Sequence, residues 1–128
     1  MTASASWLLA GLLLAHCLGD FSPLATGRMQ VAKANGGPMY LIAGHAAVHM
    51  VLVTAAVILV ARPTWSLILA AAGIELVTHF LLDAGRARLG RRFPAFNDHR
   101  DNTFWYALGA DQLAHGLVLV WIAGLVLQ

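Results

Sequence analysis

Charge is what this chain has least of. Only 11% of its 128 residues are Asp, Glu, Lys or Arg, while 59% are hydrophobic; soluble domains run at roughly one quarter charged and half apolar. So little charge cannot cover a water-facing surface, and a membrane protein is expected. Cysteine is nearly absent as well. With Cys17 alone the chain can form neither an intrachain disulfide nor a thiolate-cluster metal site. No Lys or Arg precedes the apolar run 8–15, so the basic start of a secretory signal is missing. That run continues into His16 and Asp20 instead of a small-residue cleavage site, and His16 stands where a lipoprotein signal before Cys17 needs a small side chain. An uncleaved first span is therefore expected, with a cleaved signal peptide as the competing reading. There is no low-complexity tract, and the only repetition is a recurring polar pair.

Long apolar runs are what the chain does have. They occupy about residues 5–21, 39–61, 65–89 and 104–127, and at ~1.5 Å per helical residue most can cross a hydrocarbon layer of about 30 Å. The first is the shortest. The breaks at 22–38, 62–64 and 90–103 hold Pro, Gly or polar residues that punctuate helices. The expected fold is all-α: one membrane domain over 1–128, a four-transmembrane-helix antiparallel bundle. The first and third breaks share one face of the membrane, which then carries Arg28, Lys33, Arg86, Arg88, Arg91, Arg92 and Arg100, against Arg62 alone opposite. That asymmetry points to a cytoplasmic first and third loop and to both termini outside the cytoplasm, as in a multi-pass protein of the bacterial inner membrane. The net charge of +2 is then accounted for by topology and calls for no nucleic-acid partner. Trp7, Trp65 and Trp121 on one side, with Tyr40, Trp105 and Tyr106 on the other, fit interfacial belts or ordinary lipid-facing aromatics equally well. The 22–38 segment is long for a bundle and reads as a solvated loop, or else as a mobile flap.

Each span carries a polar pair four residues apart: His16/Asp20, His45/His49, His79/Asp83 and Asp111/His115, with Glu75 one turn before His79. A step of four returns to the same helix face. In the antiparallel arrangement all four pairs fall in the cytoplasmic half of the bilayer at overlapping depth. An Asp at the centre of a membrane helix costs about 2.5 to 3.5 kcal/mol on insertion scales, so each needs a partner. A divalent cation would neutralise several carboxylates at once while taking neutral imidazoles as ligands, which suits Zn, Mn or Fe. Eight candidate ligands are too many for one tetrahedral zinc and enough for two ions with open positions. The alternatives are a metal-free hydrogen-bond and ion-pair network between helices and a bis-His haem, which leaves the carboxylates unexplained.

These motifs, in this order, resemble the small bacterial membrane proteins of domain-of-unknown-function family 3307. The segments that carry the resemblance are His16 to Phe21, His45 to His49, His79 to Asp83 and Asp111 to His115. In that family a Gln often follows the first motif and a Lys the third, where this chain has Leu24 and Arg86. The resemblance implies no activity.

Chemistry therefore has to come from the residues. Zinc lowers the pKa of bound water toward about 7 and polarises a phosphoryl or acyl oxygen, so the expected function is a metal-dependent hydrolase of a lipid or lipid-linked substrate. Glu75 is the candidate catalytic residue, as general base; a ligand, a partner of a ligand, or a structural hydrogen bond to His79 are its other readings. Arg86, Arg88, Arg91 and Arg92 can attract an anionic headgroup or simply contact anionic lipid. A metal-ion or proton transporter, which would need a homo-oligomer, and a non-haem iron oxidoreductase are the competing functions. Gln112 is expected to face a neighbouring helix, with orienting a ligand as its other reading; His99 is expected to be solvated, and Cys17 and Met50 to pack. Gly19, Gly44, Gly109 and Gly116 lie within a turn of candidate ligands, where small residues let helices approach.

Overall fold

The computed structural model describes residues 3–128. Four long helices, α1 (Ala3–Phe21), α3 (Met39–Val60), α4 (Trp65–Arg92) and α5 (Asn102–Val126), are each long and apolar enough to span a membrane, and there is no strand among the described residues. α3 packs on α1 and α4, and α5 closes the ring against α4 and α1. The expected helix limits hold to within a few residues; the largest difference is at α4, which runs three residues further, to Arg92. Its 28 residues reach about 42 Å, well beyond a hydrocarbon layer of about 30 Å. The surplus places the arginines at its end where headgroups and water can solvate them.

Every span presents one continuous inward stripe whose chemistry changes along the helix. On α1, Leu8 and Leu12 lead to His16 and Asp20; on α3, His45 and His49 are followed by Val53 and Val57. On α4, Ile68 and Ala71 precede Glu75, His79 and Asp83, and on α5 His115 is followed by Leu119, Ile122 and Val126. The apolar parts meet at the end of the bundle bearing the 61–64 turn and form one core. The polar parts meet at the other end. Outward faces are apolar throughout, with Leu13, Val51, Leu69, Leu81 and Leu117 among the exposed side chains. Buried ionisable groups inside and leucines outside invert the pattern of a soluble bundle and match one solvated by lipid. In that solvent the apolar core adds close packing rather than a hydrophobic driving force.

The expected loop at 22–38 is in part a helix, α2 (Gly27–Asn35). Thr26 caps its start, accepting a bond from the Met29 amide at 3.4 Å, and Gly36 ends it at φ 77°, a left-handed conformation that suits glycine. Nine residues are too few to hold a helix unaided. Ala32 supplies the anchor, packing with Ile42 of α3 and Ala87 of α4. Arg91 Nη1 donates to the Gly36 carbonyl at 2.8 Å and Asn97, in a short 3-10 turn (Pro94–Asn97), donates to the Ala34 carbonyl at 3.3 Å. These bonds strap α2 across the polar end of the bundle.

Candidate metal centre

The four helices bring seven of the eight sequence-derived ligands, and Glu75, into one buried layer. His16, His45, His49, His79 and His115 touch as a cluster, with ring centroids of His49 and His79 3.7 Å apart and those of His79 and His115 4.4 Å apart. Gly19 lets α1 approach α3 closely: a Cβ there would collide with the His49 ring. The small-residue expectation also holds at Gly44, whose nearest neighbour would be Met29, but not at Gly109 or Gly116, where nothing lies close.

One part of the layer consists of His79, Asp83 and His115. His79 Nδ1–H donates to Glu75 Oε1 at 3.1 Å, and His115 Nδ1–H donates to the Asp111 carbonyl at 2.9 Å. With Glu75 ionised, those bonds set both tautomers and leave both Nε2 atoms with bare lone pairs. His79 Nε2 lies 3.6 Å from Asp83 Oδ2, and His115 Nε2 lies 3.8 Å from Asp83 Oδ1. Neither nitrogen has a hydrogen-bond partner. Lone pairs facing a carboxylate repel, and the gaps are too long for a shared proton. They approach the edge of a tetrahedron of metal–ligand bonds, about 3.4 Å for bonds near 2.1 Å. Two imidazoles and a carboxylate are also a ligand set that Zn and Fe accept. The residues fit a divalent ion.

Asp20, His45 and His49 make a second such group. His45 Nε2 is 3.1 Å and His49 Nε2 3.4 Å from Asp20 Oδ1. Here a cation is already present: Lys33 of α2 reaches in, its ammonium 3.3 Å from Asp20 Oδ1, 3.2 Å from Asp83 Oδ1 and 3.1 Å from His45 Nε2. Burial works against its charge, but Asp83 and Asp20 outweigh burial and raise the Lys33 pKa above the ordinary lysine value. His45 Nε2 either accepts from Lys33 or donates to Asp20, since one ring nitrogen cannot do both. Gln112 completes the surroundings, donating to Asp20 Oδ2 at 3.2 Å and accepting from His16 Nε2 at 3.3 Å. Gln30 donates to the Asp20 carbonyl at 3.1 Å.

Lys33 was legible only as a topological charge; Gln112, expected to face a neighbouring helix, follows its other reading and bonds the candidate ligands Asp20 and His16. Asp111 stands apart from the ligand groups: its carboxylate is 3.9 Å from His115 Nδ1 and lines an open pocket. Glu75 lies one turn deeper than His79, bonded to it and away from that pocket. His99 is exposed, as expected; Cys17, expected to pack, is exposed instead. The pocket, of about 350 Å3, enters at the α2 end and reaches the cluster at Asp20, Lys33 and Gln112. Counted as ionised, the carboxylates of Asp20, Asp83 and Glu75 outnumber the single Lys33 ammonium by two, the charge of one divalent ion.

No curated protein and no solved structure matches the chain. A family model described as Protein of unknown function (DUF3307) matches residues 8–128, nearly the whole length and all four polar pairs. The chain therefore belongs to that family, in agreement with the resemblance carried by its motifs.

Proposed function

We propose that this membrane protein is a metal-dependent hydrolase acting on a lipid or lipid-linked substrate from the cytoplasmic leaflet of the bacterial inner membrane, with both termini on the far side. The observation that carries the reading is the pair of bare Nε2 atoms, on His79 and His115, turned toward the buried Asp83 carboxylate, behind the Asp20, Lys33 and Gln112 side chains that line a pocket at the α2 end. His79, Asp83 and His115 would hold the first ion. Asp20, His45 and His49 would hold a second in place of the Lys33 ammonium, which also contacts Asp83, and His16 stands beside them, 3.5 Å from Asp20 Oδ2. When bound, such an ion activates water and polarises the scissile group.

The chain's own residues do the rest. Glu75 fixes the His79 ring through Nδ1, as carboxylates commonly do behind histidine ligands. Asp111, at the pocket wall, is placed to take a proton from water entering by that route. Gln112 keeps Asp20 and His16 in register across α1 and α5. The seven basic residues near the α2 end support the cytoplasmic assignment, although Lys33 is spent within the site.

Transport has the apolar half of the bundle against it: Leu8, Leu12, Val53, Val57 and Ile122 are fully buried there and leave no polar route to the other face. Non-haem iron chemistry would use the same two-histidine, one-carboxylate sets. The metal-free network has the Lys33 ion pairs in its favour. Metal analysis of the protein and of His79→Ala separates these readings. Zinc lost with His79 supports hydrolysis, iron supports oxidation, and no metal in either protein leaves the network.

A further inference from the structure

Arg86 is the one cation of the pocket whose charge is not used by the protein. It projects from α4 beyond the metal layer, half-buried, and its Nη2 donates to the Phe96 carbonyl at 2.7 Å. The guanidinium sits 5.9 Å from the Phe96 ring centroid. No carboxylate lies within ion-pair distance of it among the described residues. Lys33, on the same pocket wall, is the contrast: Asp20 and Asp83 both engage it. A guanidinium tied by one bond to a carbonyl is held in place while most of its donor fork stays available, the geometry that receives phosphate oxygens.

The rest of the pocket says what carries the anion. Phe21, Phe104 and Leu108 form an apolar wall beside Arg86, and Phe21 is 74% exposed toward the surroundings of the bundle. Asp20 and Asp111 form the inner wall and repel an anion from the floor. An amphiphile satisfies all three surfaces at once, with its charged group at Arg86 and its chain leaving over Phe21 into the bilayer.

We propose that the pocket binds the anionic phosphate headgroup of an amphiphile, with Arg86 as the pairing residue. The proposal rests on the reading of this site as lipid-directed, and it narrows the substrate to phosphate-bearing lipids. Arg86 holds the headgroup without any metal, so binding and metal content can be read separately.

The test uses the full chain in a non-ionic maltoside detergent, stripped of metal and titrated calorimetrically with dihexanoyl phosphatidic acid, dihexanoyl phosphatidylcholine and inorganic phosphate. Phosphatidic acid should bind about ten-fold or more tighter than either of the others, and Arg86→Gln should remove most of that advantage. Arg88→Gln, on the same helix but exposed and outside the pocket, should leave it intact. Phe104→Ala should weaken phosphatidic acid and not inorganic phosphate, which keeps the test available if Arg86→Gln fails to fold. Equal binding of the two lipids, or an unchanged Arg86→Gln, overturns the proposal. Inorganic phosphate binding as tightly as phosphatidic acid overturns the amphiphile and leaves a free-phosphate site. A protein that holds stoichiometric metal but shows no preference for phosphatidic acid loses this inference alone; one that prefers it but never holds metal loses the hydrolase instead.

Discussion

The two halves of the bundle are built on the same four inward stripes and differ only in what the stripes carry. Toward the 61–64 turn the stripes are Leu, Ile, Val and Ala, beside which the Thr54 hydroxyl is buried without a partner. Toward α2 they are His, Asp and Glu, eight buried ionisable side chains of which several have atoms with no partner. The apolar half can be assembled by packing alone, and lipid is an adequate solvent for its unassembled parts. The polar half cannot: each carboxylate separated from its partners costs several kcal/mol in hydrocarbon. Packing of the first half can hold a helix bundle together, so the second half is the part that the proposed metal site has to account for.

Moving charge into the apolar half should break that contrast most severely. Val57 lies two turns from His49 on the same face and is fully buried in the apolar core, so Val57→Asp has no partner to meet. It should lose about 3 kcal/mol or more, read as a collapse of the folded fraction in detergent. His79→Ala comes next, lowering metal occupancy and melting temperature together, because Glu75 loses its donor and Asp83 one neighbour. Glu75→Gln sharpens the point. A residue acting through His79 should reduce metal affinity by about 10- to 100-fold while full occupancy returns at excess metal, whereas loss of a ligand should prevent saturation; equilibrium dialysis distinguishes them.

Lys33→Met is the next smaller change and the most discriminating. It removes the ammonium shared by Asp20 and Asp83, so bound metal should rise from one ion toward two per chain, and added Zn should recover the stability lost. A metal-free network predicts lost stability that Zn does not restore. Smallest of all, Thr26→Ala should loosen α2 by about 1 kcal/mol, read as faster amide exchange confined to residues 27–35.

The two halves were not equally legible in the sequence. Spans, antiparallel order and the convergence of His16, Asp20, His45, His49, His79, Asp83 and His115 follow from a four-residue spacing and the rule that successive helices reverse. Both are local properties. Lys33 and Gln112 are not: Lys33 reaches Asp83, 50 positions away, only because α2 folds over the bundle, and Gln112 reaches Asp20 only because α5 closes the ring against α1. The ends of α2 carried ordinary signals, Thr26 before it and Gly36 after it. What hid the helix was its length, since nine residues form a stable helix only with a docking surface, here Ile42 and Ala87. Asp111 lies outside the ligand groups for a related reason. Its spacing from His115 puts both on one side of α5, but the last turn of difference carries its carboxylate to the pocket wall.

The central claim is that a divalent ion belongs among these side chains, and elemental analysis of the protein purified without any chelator tests it most directly. The account predicts at least one stoichiometric divalent ion per chain in the wild type and its loss in His79→Ala. A wild-type protein that holds none, and whose melting temperature does not rise with Zn, Mn or Fe, contradicts it.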